Sequence, residues 1–376
     1  MTVVATLRIV LDQVAAPTDP DLALASRELA TALVEAAPDG CEVEGILPSV
    51  PAARVDDALS DVPGLAGVHK VSLPRRELSA ALQLGVATGI GGGMIHSPTL
   101  FAPLVKHDRV HENDQTVVTL WDFRAWEAPD ELSRTSVGWQ RAMLRRAAKH
   151  ADAIVVPTHS MARQLEDFAP RLSERVRVIA GAAPARFRVP SDEVGRRRVL
   201  DVPEGFVLLS GGRAASDALG RGFAAIARSG LELPVLVIDA PAGEEPAILE
   251  LASSSGIPEG NLHVRGFLDT ADRAAVFGAA VALLAPAARS AFPWRVVEAL
   301  ALGVPVIAAQ SPVHAEVVVD GGMLVPAEDE ALASALADAL ASTAAADRLG
   351  VLAADRGRVY SWREAADRVW QLHADL

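Results

Sequence analysis

The sequence predicts an α/β protein built from two doubly wound parallel-sheet domains. With 376 residues, the chain is too long for one ordinary hydrophobic core, so two domains are expected. Short apolar runs alternate with stretches whose apolar residues recur three and four positions apart. The short runs are apolar at consecutive positions, which is typical of strands that helices cover on both faces of a parallel sheet.

In the first half of the chain, five apolar runs predict strands and three amphipathic stretches predict helices. The first run is broken by Arg8 and closed by Asp12, and it reads as a buried strand rather than a signal peptide. The predicted strands cover residues 7–11, 94–96, 116–120, 153–156 and 176–179. The predicted helices cover residues 22–36, 137–150 and 160–168.

The second half repeats this alternation. A helix is predicted over residues 294–302, followed by a Gly-Val-Pro turn and, beyond the next strand, by a further short apolar strand. Residues 185–204 are rich in Arg, Pro and Asp and have little apolar periodicity, so they predict a boundary between domains 1–187 and 188–358. The predicted strands cover residues 206–210, 235–238, 262–265, 281–285 and 304–309.

Charge and cysteine content exclude several classes of protein. The formal net charge of −13 argues against nucleic acid and anionic membrane surfaces as partners. The single cysteine, Cys41, allows neither an intrachain disulfide nor a cysteine-based metal site. No apolar run approaches the ~18 residues of a membrane span, so a cytoplasmic location is expected. No convincing carboxylate pair has a metal-binding spacing, so no metal site is predicted. No cofactor is expected either, apart from a co-substrate.

The most informative segment is 288–325. A helix N-terminus follows Pro293, and its free backbone N–H groups and partial positive charge suit a phosphate. Glu298 lies in the first turns of that helix, where it can accept hydrogen bonds from a sugar hydroxyl. Arg295 faces either the phosphates or solvent.

This segment resembles the nucleotide-sugar site of retaining glycosyltransferases of family four, which have the two-domain GT-B architecture. In that family two glutamates, separated by seven residues, frame a Gly-Phe-Gly turn, and an Ala-rich helix then ends in Gly-x-Pro-Val-(Ile/Val)-Ala. Ser290 stands at the first glutamate of the pattern, and Ala291 and Pro293 stand at its two glycines. The residues in register are Phe292, Glu298, Ala299, Gly303, Pro305, Val306, Ile307 and Ala308.

The resemblance implies transfer of a hexose from a nucleotide diphosphate sugar to a hydroxyl acceptor, a glycan or a small molecule, with retention and without a metal. In the family the donor lies between the two domains, mostly on the C-terminal one. Glu298 is then the expected ribose ligand, and Ser290 is a predicted catalytic residue because it takes the place of the carboxylate that contacts the donor sugar. Phe292 and Arg295 are expected on the donor side of the same segment.

The loop after strand 206–210 is the expected diphosphate loop. Gly211 and Gly212 allow the backbone to approach a ligand closely. The family's cations are replaced here by Ser-Asp-Ala, and the aspartate, Asp217, is expected to repel a phosphate. Arg213 or Arg221 supplies the charge instead, unless this is an ordinary strand-to-helix turn with surface arginines.

Three residues of the first domain are candidates for the acceptor side. Trp121 and Asp122 follow a strand where the family often has His-Asp, so Asp122 is a predicted catalytic residue and Trp121 a predicted sugar contact. The alternatives are a core position for Trp121 and a turn or helix cap for Asp122. His96 lies in an Ile-His-Ser-Pro segment that resembles the family's and would face the interdomain cleft; the alternative is an ordinary strand-end histidine.

The last segment of the chain also resembles the family. Residues 359–366 resemble the Phe-Ser-Trp start of the family's final helix, so helix 359–376 is expected to pack back on the first domain.

The departures from the family pattern at Ser290, Asp217 and Trp121 support a second hypothesis. In that hypothesis the chain is a catalytically degenerate GT-B protein that binds a nucleotide or a glycan, or acts as the partner subunit of another glycosyltransferase.

Overall fold

The computed structural model describes residues 5–86, 88–108 and 114–376. In this part of the chain the contacts separate two compact units, each with its own parallel sheet. The predicted class, two parallel-sheet α/β domains, is therefore confirmed. The first unit is Met1–Gly181 with Ser361–Leu376, and the second is Ala182–Tyr360.

The first unit has a seven-stranded parallel sheet in the order β3-β2-β1-β4-β5-β6-β7. Its strands are β1 (Ala5–Val10), β2 (Cys41–Ser49), β3 (Gly67–Pro74), β4 (Met94–Ser97), β5 (Gln115–Thr119), β6 (Ala153–Val156) and β7 (Val176–Val178). Its helices are α1 (Asp12–Ala15), α2 (Pro20–Glu35), α3 (Ala52–Asp61), α4 (Arg75–Leu84), α5 (Arg124–Glu127), α6 (Arg134–His150) and α7 (His159–Phe168). The five strands predicted for this half are all present.

Strands β2 and β3 were not predicted because polar residues interrupt their apolar runs. In β2, Glu42 and Glu44 alternate with Val43 and Gly45, and their carboxylates accept from side chains of the neighbouring strand β1. Strand β3 is the edge of the sheet, and most of its residues are partly or fully exposed. A search for fully apolar runs therefore finds the central strands and misses this side of the sheet.

The second unit has a six-stranded parallel sheet in the order β10-β9-β8-β11-β12-β13. Its strands are β8 (Phe206–Ser210), β9 (Val235–Ile238), β10 (Leu262–Val264), β11 (Ala280–Ala285), β12 (Val306–Ala309) and β13 (Met323–Val325). Its helices are α8 (Glu193–Val199), α9 (Leu219–Arg228), α10 (Glu245–Ser254), α11 (Thr270–Ala279), α12 (Trp294–Leu302), α13 (Pro312–Val318), α14 (Asp329–Ala339) and α15 (Thr343–Gly357). Every strand predicted for this half is present, and helix α12 has the predicted bounds.

Helix α12 ends where the sequence predicts. Gly303 adopts a left-handed conformation, with φ of +69°, and its N–H bonds back to Leu300. A Cβ at Gly303 would also lie 3.0 Å from the carbonyl oxygen of Gly350 in α15. Glycine is therefore required both for the conformation and for the contact between the two helices.

The last helix, α16 (Trp362–Asp375), belongs to the first unit. It packs against α2, and the indole N–H of Trp370 donates to the backbone oxygen of Leu33 at 3.1 Å. The chain thus returns to the first sheet after completing the second. None of the helices in the described ranges is both long and apolar enough to cross a bilayer.

Candidate functional site

The strand order of the second sheet brings two loops together. Strand β8 lies between β9 and β11, so the chain moves outward in one direction after β8 and in the other after β11. Ligands of doubly wound sheets bind at such a switch point, beyond the carboxyl ends of the strands. The loop after β8 holds Gly211–Asp217, and the loop after β11 holds Arg289 and Ser290. These loops form the candidate site.

Internal carboxylates occupy the backbone N–H groups of the glycine loop. Gly211 has a φ of +119°, and a Cβ there would lie 2.9 Å from the carboxyl carbon of Asp217. The N–H of Gly212 donates to Asp217 Oδ2 at 2.8 Å. The N–H of Arg213 donates to Glu244 Oε2 at 2.9 Å, while the Arg213 side chain is exposed. The loop is thus an anion-binding turn, as its glycines suggest, and its anions belong to the protein.

Asp217 also binds a cation that sequence analysis missed. Arg289 Nη1 donates to Asp217 Oδ1 at 2.7 Å. The two residues are 72 positions apart, and only the sheet order shows that they meet. Arg221, one of the cations considered from sequence, instead donates to the backbone oxygen of Pro286 at 3.3 Å.

The loop before α12 is held by an aromatic pair. Phe292 is buried, and its ring meets that of Trp294 edge to face, with 4.6 Å between centroids. Phe292 therefore shapes the loop from the protein interior. Ser290 is partly buried two positions earlier. Pro293 is the N-cap of α12 and provides no side-chain cap, and the N–H of Trp294 donates to the backbone oxygen of Phe292 at 3.0 Å.

Glu298 is only 2% exposed and lies in a buried ion network. Arg273 of α11 donates to both of its oxygens, with Nη2 to Oε1 at 2.7 Å and Nε to Oε2 at 2.9 Å. Arg295 Nη1 donates to Glu298 Oε2 at 3.2 Å. The alternative that Glu298 is a solvated helix residue is therefore wrong, and its predicted contact with ribose stays a prediction.

Arg295 completes this network and is buried, so it does not point to solvent, and its predicted contact with the phosphates stays a prediction. Its Nε donates to Asp239 Oδ2 at 2.7 Å and its Nη2 to Asp239 Oδ1 at 3.1 Å. Two guanidinium groups thus balance two carboxylates. The exposed ring of Phe267 covers both cations, at 5.3 Å from Cζ of Arg273 and 6.0 Å from Cζ of Arg295. We define the buried network as Asp239, Arg273, Arg295 and Glu298.

In the first unit, the two candidates after β5 have structural partners. Trp121 is buried, its indole N–H donates to the backbone oxygen of Pro98 at 2.8 Å, and its ring meets that of Trp362 edge to face. The core alternative describes Trp121 in this structure. Asp122 is partly exposed, and its Oδ1 accepts from the N–H of Arg124 at 2.9 Å. Asp122 thus acts as a turn cap and keeps one side toward solvent.

His96 is fully buried against the C-terminal helix. Its Nδ1 lies 3.4 Å from Nε2 of His373, whose Nδ1 lies 2.8 Å from Oε1 of Gln115. Burial lowers the pKa of His96 well below the ordinary histidine value, and it lowers the pKa of His373 to about 4. Both rings are therefore neutral at pH 7, and His96 is a buried core residue near the end of β4.

Comparison with known proteins shows which proteins this chain is similar to. Residues 217–342 match the family described as Glycosyl transferases group 1. D-inositol 3-phosphate glycosyltransferase of Saccharomonospora viridis is 32% identical over 249 residues, which cover 60% of this chain and 56% of that protein. The chain thus matches just over half the length of this relative.

Solved structures share the whole fold at low sequence identity. Anabaena Alr3699/HepE in complex with UDP and glucose is 18% identical and superposes with a TM-score of 0.72, covering 99% of this chain and 100% of that one. Sucrose-phosphate synthase from Thermosynechococcus elongatus is also 18% identical, with a TM-score of 0.68 and coverage of 99% and 98%. The two units therefore have the GT-B fold, a segment of the second unit matches the family described as Glycosyl transferases group 1, and the resemblance to glycosyltransferases of family four is confirmed.

Proposed function

We propose that this protein is a glycosyltransferase that transfers a hexose from a nucleoside diphosphate sugar to a hydroxyl of a glycan or small-molecule acceptor, with retention. One observation carries the proposal: a backbone N–H and an arginine meet on loops at the switch point of the second sheet, next to the start of a helix that has no side-chain cap. The matched family segment covers residues 217–342 and so includes Asp217 and the start of α12. The relative in Anabaena was solved with UDP and glucose, which supports a nucleotide sugar here.

The chemistry needs positive charge where the donor's diphosphate leaves. Negative charge grows on the leaving phosphate as the bond to the sugar breaks, and preorganised donors stabilise that charge. The guanidinium of Arg289, the exposed arginine Arg213 and the N-terminus of α12 are the groups available at this edge of the sheet. These groups require neither a metal nor a cofactor, so the proposal uses none.

The retaining step proposed here needs no carboxylate nucleophile. Ser290 stands at the position of the family's first glutamate and can donate or accept a hydrogen bond, but it carries no charge. In a front-face transfer the departing phosphate accepts the proton of the acceptor hydroxyl, and the new glycosidic bond forms on the face that the phosphate leaves. Asp122 is the remaining candidate for an acceptor-side carboxylate, because it keeps partial exposure at the carboxyl end of β5.

The second hypothesis, a nucleotide- or glycan-binding partner subunit without catalysis, draws on Ser290 and on the carboxylate of Asp217 in the glycine loop. The first hypothesis predicts turnover of a nucleoside diphosphate sugar, and the second predicts binding without turnover.

We also propose a cytoplasmic location, where nucleoside diphosphate sugars would be available, in keeping with a single free cysteine.

Two measurements test the proposal. Calorimetric titration of the full chain with UDP, ADP and GDP should show binding of at least one; no binding at roughly millimolar concentration excludes a donor site. A screen of nucleoside diphosphate hexoses, read out as released nucleotide, should then identify a donor. Binding without turnover of any donor, in the presence of glycan and small-molecule acceptors, would instead support the partner-subunit hypothesis.

A further inference from the structure

We propose that Arg289 is the principal side chain that holds the donor's diphosphate, and that Asp217 is a built-in competitor that occupies this position until a donor displaces it. The inference rests on the proposed function and adds to it a binding residue and a competing residue. Neither follows from the family pattern, in which the cations lie in the glycine loop rather than in the loop before α12.

The first step is the environment of the Asp217 carboxylate. Each of its oxygens accepts one hydrogen bond, from the Gly212 N–H at 2.8 Å and from Arg289 Nη1 at 2.7 Å. A backbone N–H of a glycine loop and a guanidinium are the two kinds of donor that phosphate oxygens accept from most readily. The carboxylate therefore sits in a small anion site made by two loops of the sheet's switch point.

The second step is the choice among arginines. Arg295 is buried and its guanidinium is bonded to Asp239 and Glu298, so it is already neutralised. Arg221 is directed to the backbone oxygen of Pro286. Arg289 keeps 41% of its side chain exposed while its guanidinium reaches the glycine loop. It thus combines access for a ligand with a position beside the Gly212 N–H.

The third step is that this contact can be exchanged. The Asp217 side chain is 13% exposed and its partner is more exposed still, so the pair lies at the border of the solvent. Ion pairs with a solvent-exposed partner are screened by water and salt, so they contribute less to stability than fully buried pairs do. A diphosphate brings more negative charge and more acceptor oxygens than one carboxylate, so it can take over Arg289. The presence of Asp217 then lowers the affinity for the diphosphate, and removal of its charge raises that affinity.

The experiment is calorimetric titration of the full-length wild type and four variants with UDP, ADP and GDP, each paired with its nucleoside. Arg289→Ala removes the guanidinium. Arg289→Lys keeps a positive charge but lacks the planar guanidinium, which can donate two parallel hydrogen bonds. Asp217→Asn removes the competing charge and keeps an acceptor for the Gly212 N–H. Arg228→Ala is the matched control, because Arg228 is an exposed arginine of the same unit that pairs with Glu330 at 2.7 Å. Thermal unfolding of each variant checks that it is folded.

We expect Arg289→Ala to weaken binding of the preferred diphosphate about tenfold, since one charge-assisted hydrogen bond is lost, with little effect on the nucleoside. Arg289→Lys should restore part of the loss. Asp217→Asn should strengthen diphosphate binding several-fold, and Arg228→Ala should change nothing.

The outcomes separate this inference from the proposed function. If no nucleoside diphosphate binds the wild type or Asp217→Asn, both are overturned. If the wild type binds one but Arg289→Ala binds it as the control does, only the role of Arg289 is overturned, and the proposed function stands. If Asp217→Asn binds the diphosphate no more tightly than the wild type, Asp217 is a loop anchor and the competition is refuted.

Discussion

Glu298 and His96 were both candidates for the site, one in each unit, and both are buried, but they are buried in opposite ways. Glu298 keeps its interior position because two arginines surround its carboxylate. His96 lies beside a second histidine, and burial lowers the pKa of both rings, so both stay neutral. A buried group stays ionised only if it is paired with an opposite charge, and a buried titratable group without such a partner is neutral.

This difference shows what a family resemblance transfers. It transfers the backbone position of Glu298 at the start of α12 and of His96 in β4. It does not transfer access to a ligand, because access depends on side chains from other elements. Arg273 of α11 covers one candidate and His373 of α16 covers the other. The pair of Asp217 and Arg289 differs from both, because the arginine is 41% exposed and the carboxylate is 13% exposed.

The largest expected effect comes from breaking the buried network. Glu298→Ala leaves Arg273 without the carboxylate that accepts from its Nε and Nη2, in an environment where Arg273 is fully buried. We expect the free energy of unfolding to fall by about 3–5 kcal/mol, because an uncompensated buried charge remains. Urea denaturation of the full chain, in which the unfolding transition of the second unit is monitored, measures this change in the free energy of unfolding.

The matched control is Glu330→Ala, which removes an exposed carboxylate paired with Arg228. That change should cost less than about 1 kcal/mol. A double variant, Arg273→Met with Glu298→Leu, should recover stability relative to Glu298→Ala, since apolar side chains replace the charges. Equal losses for Glu298→Ala and Glu330→Ala would show that the network does not stabilise the second unit.

The neutral histidine pair predicts acid sensitivity of the first unit. The folded pKa of His373 is about 4, against an ordinary value of 6.5. Between these values the unfolded chain binds protons that the folded chain excludes, so stability is full above about pH 6.5 and declines as the pH falls toward 4. The decline should approach 1.4 kcal/mol per pH unit for each such histidine. Urea denaturation at a series of pH values measures the slope.

Carboxylates elsewhere also titrate at the acid end of this window, so a variant must isolate the histidines. His373→Gln removes one of the two titrating rings while keeping a polar side chain beside Gln115. Its stability should depend less steeply on pH between 6.5 and 5 than that of the wild type. The same slope in both proteins would mean that His373 is already charged, or is not buried, in the folded state.

The fold was largely predictable, because a strand that is buried on both faces is apolar at consecutive positions of its own sequence. The runs at β8 and β9 are apolar at nearly every position, whereas in β2 the acidic residues at 42 and 44 hide the strand. Helix α12 was predictable at both ends, from Pro293 and from Gly303. Each of these signals lies within a few residues of the element that it defines.

The site was predictable only as a pair of loops. The sequence identified the glycine loop and the start of α12, but the partners of their side chains lie far away in the chain. Arg289 is 72 positions from Asp217, and Arg273 is 25 positions from Glu298. Which side of α12 is buried also could not be read from its own sequence, since six of its nine residues are buried, both charged ones included. Burial and pairing of this kind are set by packing between elements.

The smallest expected effect on stability belongs to the pair of Asp217 and Arg289, and it completes the comparison. Asp217→Asn and Arg289→Ala should each change the free energy of unfolding by less than about 1 kcal/mol, because the arginine is accessible to water and Asn keeps an acceptor for the Gly212 N–H. A double-mutant cycle in urea should give a coupling energy that falls further as salt is raised, since the pair lies at the solvent border. A coupling as large as that of the buried network would mean that the contact is a structural bond. In that case displacement of Asp217 by a diphosphate would cost too much free energy, and the contact between Asp217 and Arg289 would stabilise the fold as the buried network around Glu298 does.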